Sequence, residues 1–194
     1  MVADDTTIVN AGTYGENITT TRNGTAGNRI TFLASGVVNT TQFKIYRSYI
    51  TMDGFTINHG KFDIQNGDYN DILNNHISYG DIQMHYKNNA NSPIGWLIKG
   101  NILSGAYSPA GDWPQIEIFG SYHIIENNEI GPARDVDAFR LWGHNNIIRN
   151  NYIHDLTHSP SSYAHMDGFQ IFGDNGWESY NQIIENNSLI NYQG

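Results

Sequence analysis

DILNNHI at residues 71–77 returns as WLIKGNI at 96–102, IIENNEI at 124–130, IIRNNYI at 147–153 and IIENNSL at 183–189, with a degenerate copy, TMDGFTI, at 51–57. The apolar markers Met52, Ile72, Leu97, Ile125, Ile148 and Ile184 recur after roughly 20 to 28 residues, with a final step of about 36 that accommodates an insertion. A period of that size marks a solenoid, in which each repeat is one turn that buries its apolar side only by stacking on its neighbours. The Asn pairs belong where a coil bends sharply, because Asn tolerates the left-handed backbone of a tight turn. Repeated at one corner, their amides are also expected to bond along the stack as a ladder.

Between these segments runs a second set of short alternating strands: KFDIQ at 61–65, DIQMH at 81–85, QIEIF at 115–119, AFRLW at 138–142 and GFQIF at 168–172. Period-two alternation with β-branched and aromatic residues reads as half-buried strand. In-register stacking predicts one inward column of Phe62, Ile82, Ile116, Phe139 and Phe169, and another of Ile64, Met84, Ile118, Leu141 and Ile171. Helical solenoids are the competing repeat class, but Asn pairs at every period oppose long helices. The sequence therefore predicts an all-β, right-handed, single-stranded parallel β-helix occupying residues 1–194 as one domain.

Composition agrees. The chain is 39% hydrophobic and 15% charged, with a formal net charge of −9. An acidic balance argues against nucleic acid or an anionic membrane surface as partner. No run is long and apolar enough for membrane insertion, and the opening MVADDTTIVN lacks the basic and apolar regions of a leader. The absence of cysteine excludes disulfides and thiolate metal sites. Residues 1–20 are expected to cap one end of the stack. The last repeat has no evident cap, so either another copy covers that edge in a homo-oligomer or the chain is part of a longer β-helix.

GTYGENITTTRNGTAGNRITFLASG at 12–36, YITMDGFTI at 49–57 and the NNxI coils together resemble secreted bacterial β-helix proteins that act on polysaccharides, of the chondroitinase B, alginate lyase and pectate lyase types. The resemblance covers most of the chain but lies in core and corner positions. It implies a secreted protein, a polysaccharide or oligosaccharide partner, calcium or basic side chains to neutralise a uronate carboxylate, and Lys or Arg as base. One departure stands out: no Lys follows Lys99.

Residues 131–173 depart from pure repeat. There, Asp135-Val136-Asp137-Ala138-Phe139-Arg140 aligns without a gap over His165-Met166-Asp167-Gly168-Phe169-Gln170. With coils about 4.8 Å apart, Asp137 should stack on Asp167 and Arg140 on Gln170. Glu117 falls in the Arg140 column, with Asp63 and Gln83 farther back, and Asp112 falls in the Asp135/His165 column. A further outward column reads Gln65, His85, Phe119, Trp142 and Phe172, which is either a sugar platform or a surface covered by the 154–165 insertion or another loop.

Three functions fit these residues. In a lyase, Arg140, His165, Asp137 and Asp167 are the catalytic candidates; Glu117, Gln170, Phe119, Trp142, Phe172 and His85 bind substrate; Glu117, Asp137 and Asp167 hold a calcium ion. In a glycoside hydrolase, Asp137 with Asp167, or Glu117 with Asp137, supplies the carboxylate pair. In a non-catalytic glycan-binding, adhesin or phage-fibre module, Arg140 is a salt-bridge partner of Glu117 or Asp137. The remaining histidines His59, His76, His123, His154 and His158 lack metal-ligand spacing and read as exposed or turn residues. His154-Asp155 is a weaker base candidate than His165, and Gly143-His144-Asn145 reads as a turn.

Overall fold

A computed structural model describes residues 1–85, 92–108, 113–160, 166–173 and 178–193. The chain is a right-handed single-stranded parallel β-helix. The first sheet stacks β4 (Ile50–Asp53), β6 (Asp71–Leu73), β9 (Leu97–Lys99), β12 (Ile124–Glu126), β16 (Ile147–Arg149) and β20 (Ile183–Glu185). The second stacks β7 (His76–Ser78), β10 (Ile102–Ser104), β13 (Glu129–Ile130), β17 (Tyr152–His154) and β21 (Ser188–Ile190). The third holds β2 (Asn17–Thr19), β8 (Asp81–Met84), β11 (Pro114–Ile118), β15 (Asp137–Leu141) and β19 (Phe169–Ile171). Three longer strands, β1 (Thr6–Thr13), β3 (Ile30–Ile45) and β5 (Thr56–Ile64), run through corners and join the sheets at the start of the stack. Among the described residues, every pairing between these strands is parallel and joins one coil to the next, as a solenoid requires.

The two inward columns predicted for the third sheet are in register. Phe62 faces Ile82, Ile116 faces Ile82 and Phe139, and Phe139 faces Phe169. Phe43 stacks on Phe62 at 5.3 Å and Phe139 on Phe169 at 5.1 Å, because equivalent rings repeat at the coil spacing. Burying each such Ile or Phe contributes about 1.5–3 kcal/mol, and the core is one continuous cluster along the axis. At the end of the stack, Ile183, Ile184, Leu189 and Ile190 remain exposed.

The Asn pairs divide their work. Asn74, Asn127, Asn150 and Asn186 adopt left-handed backbone with φ between 54° and 57°, and glycine takes this place at Gly54 and Gly100. The second member of each pair points inward. Asn75, Asn101, Asn128 and Asn151 are at most 1% exposed, and Asn187 completes the column. Each backbone N–H and side-chain amide of this column donates to the Oδ1 of the next, as in Asn101 N and Nδ2 to Asn128 Oδ1 at 2.9 and 3.0 Å. The same amides donate to carbonyls of the preceding coil, such as Asn128 Nδ2 to Ile98 O at 3.0 Å. The ladder thus satisfies corner backbone groups that the sheets leave without partners.

A second buried ladder lies at the entrance to the first sheet. Asn70 Oδ1 accepts from Ile50 N, and Asn146 Oδ1 accepts from His123 N. His123 holds an equivalent position: its Nδ1 accepts from Trp96 N at 3.1 Å and its Nε2 lies 3.3 Å from Phe119 O. The expectation that His123 is exposed or a simple turn residue is therefore corrected, since it is fully buried and substitutes for a ladder Asn.

Two predictions follow from these ladders. Asn128→Ala strips Ile98 O and Asn101 N of partners inside the core and should cost about 3 kcal/mol or more in chemical denaturation, whereas Asn127→Gly at the exposed left-handed position should change stability by less than about 1 kcal/mol. Burial holds the His123 imidazole neutral and lowers its pKa to about 4. Its contribution is complete above the unfolded value of about 6.5 and is lost as pH falls toward 4, a change on the order of 3 kcal/mol. Urea unfolding across this range should show that loss, and His123→Asn should remove it while preserving the ladder acceptor.

Candidate functional site

The outward side of the third sheet collects the ionisable groups, because register places chemically different residues from successive coils in one column. Thr19, Lys44, Asp63, Gln83, Glu117, Arg140 and Gln170 form a continuous row. Beside it run Asn17, Gln42, Lys61 and Asp81. The expected stacking of Arg140 with Glu117 and Gln170, and the place of Asp63 and Gln83 in that row, are present. Lys44 and Lys61 also lie on this face. They come from coils that precede Lys99, so the absence of lysine after Lys99 does not leave this face without an ammonium group.

Asp63 organises the middle of the face. It is 6% exposed and accepts hydrogen bonds from Gln42 Nε2 at 2.9 Å and Gln65 Nε2 at 2.7 Å. His85 Nε2 lies 2.5 Å from its Oδ1, while the imidazole stays about one-third exposed. With Nε2–H donating to the carboxylate, Nδ1 carries the lone pair. This arrangement is one that a carboxylate-oriented base requires.

A second chain of contacts crosses the row. Lys61 Nζ donates to Gln83 Oε1 at 2.5 Å, and the Gln83 side chain hydrogen-bonds Glu117. Burial raises the Glu117 pKa and nearby Asp81 reinforces the shift, against the opposing pull of Gln83, Arg140 and His85. Glu117 therefore holds its proton to higher pH than an ordinary glutamate. Asp81 is also raised, chiefly by burial, although Trp113 Nε1–H donates to its Oδ2 at 2.9 Å.

Asp137 differs from the outward ligand expected of it. It is fully buried, and its Oδ2 accepts from both Arg140 Nε and the Arg140 terminal nitrogen at 2.6 Å. Its Oδ1 accepts the Asp167 N–H at 2.7 Å, so the predicted Asp137–Asp167 contact is made through the Asp167 backbone. Burial is the largest influence on Asp137 and raises its pKa, while the Asp167 N–H and Arg140 favour the charged form. Glu117, Asp137 and Asp167 do not make the cage expected for calcium. Both Asp137 oxygens are already engaged, and among the described residues no three His, Asp or Glu side chains converge on a metal position.

The aromatic column is present but turned upon itself. Phe119 and Trp142 stack at 4.3 Å with an interplanar angle of 14°, and Trp142 and Phe172 at 4.3 Å and 6°. Phe119 is only 7% exposed. Mutual stacking occupies both faces of Trp142 and one face each of Phe119 and Phe172, which reduces the ring surface open to a pyranose. His165 and Asp112 lie outside the described residues. His154 is pinned between Asp155 at 2.8 Å and Glu129 at 3.3 Å, away from the third sheet. Gly143 and Asn145 have positive φ, as the turn reading of Gly143-His144-Asn145 requires.

No family model and no curated protein sequence matches this chain. Similar solved structures include an alginate lyase from Paenibacillus sp. str. FPU-7, with 13% identity, TM-score 0.48 and coverage of 97% of this chain and 91% of that one. The pectate lyase Pel9A gives 12% identity, TM-score 0.34 and coverage of 96% and 72%. A mannuronic acid specific polysaccharide family 6 lyase from human gut microbiota gives 11%, 0.29, and coverage of 89% and 77%. The β-helix is established by its own strand register, and likenesses this distant say nothing of its chemistry.

The Arg140–Asp137 pair sets a stability expectation. Arg140→Ala leaves a carboxylate buried without its cation and should cost about 3–5 kcal/mol in urea unfolding. A loss below about 1 kcal/mol would show that the pair is not sealed from water.

Proposed function

We propose that this chain is a carbohydrate-active β-helix that cleaves a uronic-acid-containing polysaccharide by β-elimination on the outward side of the third sheet. The observation that carries this reading is the His85–Asp63 pair beside Glu117: an oriented base and a proton-retaining acid on neighbouring coils. His85 Nδ1 takes the proton from C5 of the uronate. The C5–H electron pair forms the C4=C5 double bond, the C4–O4 bond breaks, and Glu117 gives its proton to the departing oxygen. Arg140, fixed by Asp137, and the lysines of the same face offset the substrate carboxylate. Such polymers lie outside the cell, so the proposed place of action is extracellular. No step passes through a metal ion.

Glycoside hydrolysis is the second reading, favoured by the raised pKa values of Asp81 and Glu117 and the charge coupling between them. One assay separates the two. Alginate, pectate, chondroitin and a neutral glycan are incubated with the protein in calcium-containing and EDTA-containing buffers. Elimination gives the ultraviolet absorbance of an unsaturated uronate, and His85→Gln should lower kcat about a hundredfold or more. Because Glu117 must be protonated, the rate should fall as pH rises through its elevated pKa, and Glu117→Gln should flatten that limb. Reducing ends without the absorbance would support hydrolysis, and no cleavage of any polymer would sink both readings.

A further inference from the structure

The corner between the second and third sheets changes its build partway along the axis. In the early coils it is closed by His59-Gly60 and Tyr79-Gly80, with His59 and Tyr79 in left-handed backbone. Glycine is required next to each: a Cβ on Gly60 would lie 1.6 Å from Thr41 O, and one on Gly80 would lie 1.8 Å from Gly60 O. From β10 onward the corner swells. β14 (Ala133–Arg134) pairs with β18 (Leu156–Thr157), and Tyr107 bridges to Arg134 in the coil before them.

This step from tight to swollen corners leaves a recess floored by glycine. Two hollows of about 450 Å³ and about 200 Å³ share Tyr79, Gly80 and Asp81. The larger continues past Lys61 and Gln42, and the smaller ends at Tyr107, Trp113 and Val136. Trp113 is 44% exposed while its indole N–H is tethered to Asp81 Oδ2. The other Asp81 oxygen is buried and has no hydrogen-bond partner among the described residues. An ammonium group and an aromatic wall thus line two hollows that adjoin at Tyr79, Gly80 and Asp81, a composition suited to a ligand site.

We propose that this recess is a glycan-binding cleft that seats a short run of uronate pyranoses next to the third-sheet row. A sugar ring packs on the Trp113 indole, and a carboxylate meets Lys61. The ligand class rests on the function proposed above, but the cleft itself rests on the corner geometry. Lys61 and Asp81 belong both to the recess and to the third sheet, so a bound chain leads toward His85 and Glu117.

The test uses the full chain carrying His85→Gln, in which turnover is slowed about a hundredfold or more, titrated calorimetrically with alginate and pectate tetrasaccharides. Trp113→Ala in that background should raise Kd about tenfold, and Trp113→Phe, which keeps a ring, should retain most of the affinity. Lys61→Gln should weaken binding and reduce its salt dependence. Tyr122→Ala, at an exposed position on a different corner, should bind like its parent. Unchanged affinity in both Trp113→Ala and Lys61→Gln would overturn the cleft while leaving the elimination reading intact. Weakened binding in those variants, with no cleavage by the native chain, would keep the cleft and remove the proposed chemistry. Failure of both tetrasaccharides to bind would overturn the cleft.

Discussion

Coil-to-coil register is the constraint on which the rest of this molecule depends. Parallel strands must stack at about 4.8 Å, and a closed coil can do so only if its corners also match from turn to turn. The buried Asn column meets that demand. Each amide bridges the coil before and the coil after, so displacement of one coil would strip several buried backbone groups of their partners. His123 shows that the requirement is for a correctly placed acceptor and not for asparagine as such.

The same register makes a functional face possible. Residues about 20 or more positions apart in sequence become neighbours, so Asp63 orients His85 and Lys61 reaches Gln83 without any of them sharing a local motif. Within one coil the alternation of a strand separates core from surface. Across coils, the outward positions then carry whatever charges each turn contributes. Burial by neighbouring coils raises Glu117 and Asp81, while Arg140 closes over a carboxylate that water does not reach. Scaffold and chemistry are thus two sides of one pleat.

The fold was legible in the sequence because its causes are repeated. The NNxI segments marked the corners, and the alternating strands predicted the pairings of both inward columns of the third sheet, although Ile171, in the last coil, is 47% exposed and not core. The row from Asp63 through Gln83, Glu117, Arg140 and Gln170 could be placed by counting along aligned strands. What counting could not give was side-chain direction at the corners. Asp137 sits at the start of β15, where the chain is still turning, and so points into a buried pair with Arg140 in place of an open metal site. Phe119, Trp142 and Phe172 were correctly aligned, but alignment alone did not reveal that their faces would close on one another. The recess at Tyr79 and Trp113 was hidden for a related reason, since it arises from a change in corner build between coils and not from any one repeat.

Base, acid and charge lie on one face, and their proposed work is removal of the C5 proton from a uronate. The most direct measurement is the kinetic isotope effect on kcat/KM with a polymer deuterated at C5. Abstraction by His85 predicts that the deuterated substrate is cleaved several-fold more slowly. Equal rates for the two substrates, with products that retain deuterium at C5 and carry no C4=C5 double bond, would contradict the account.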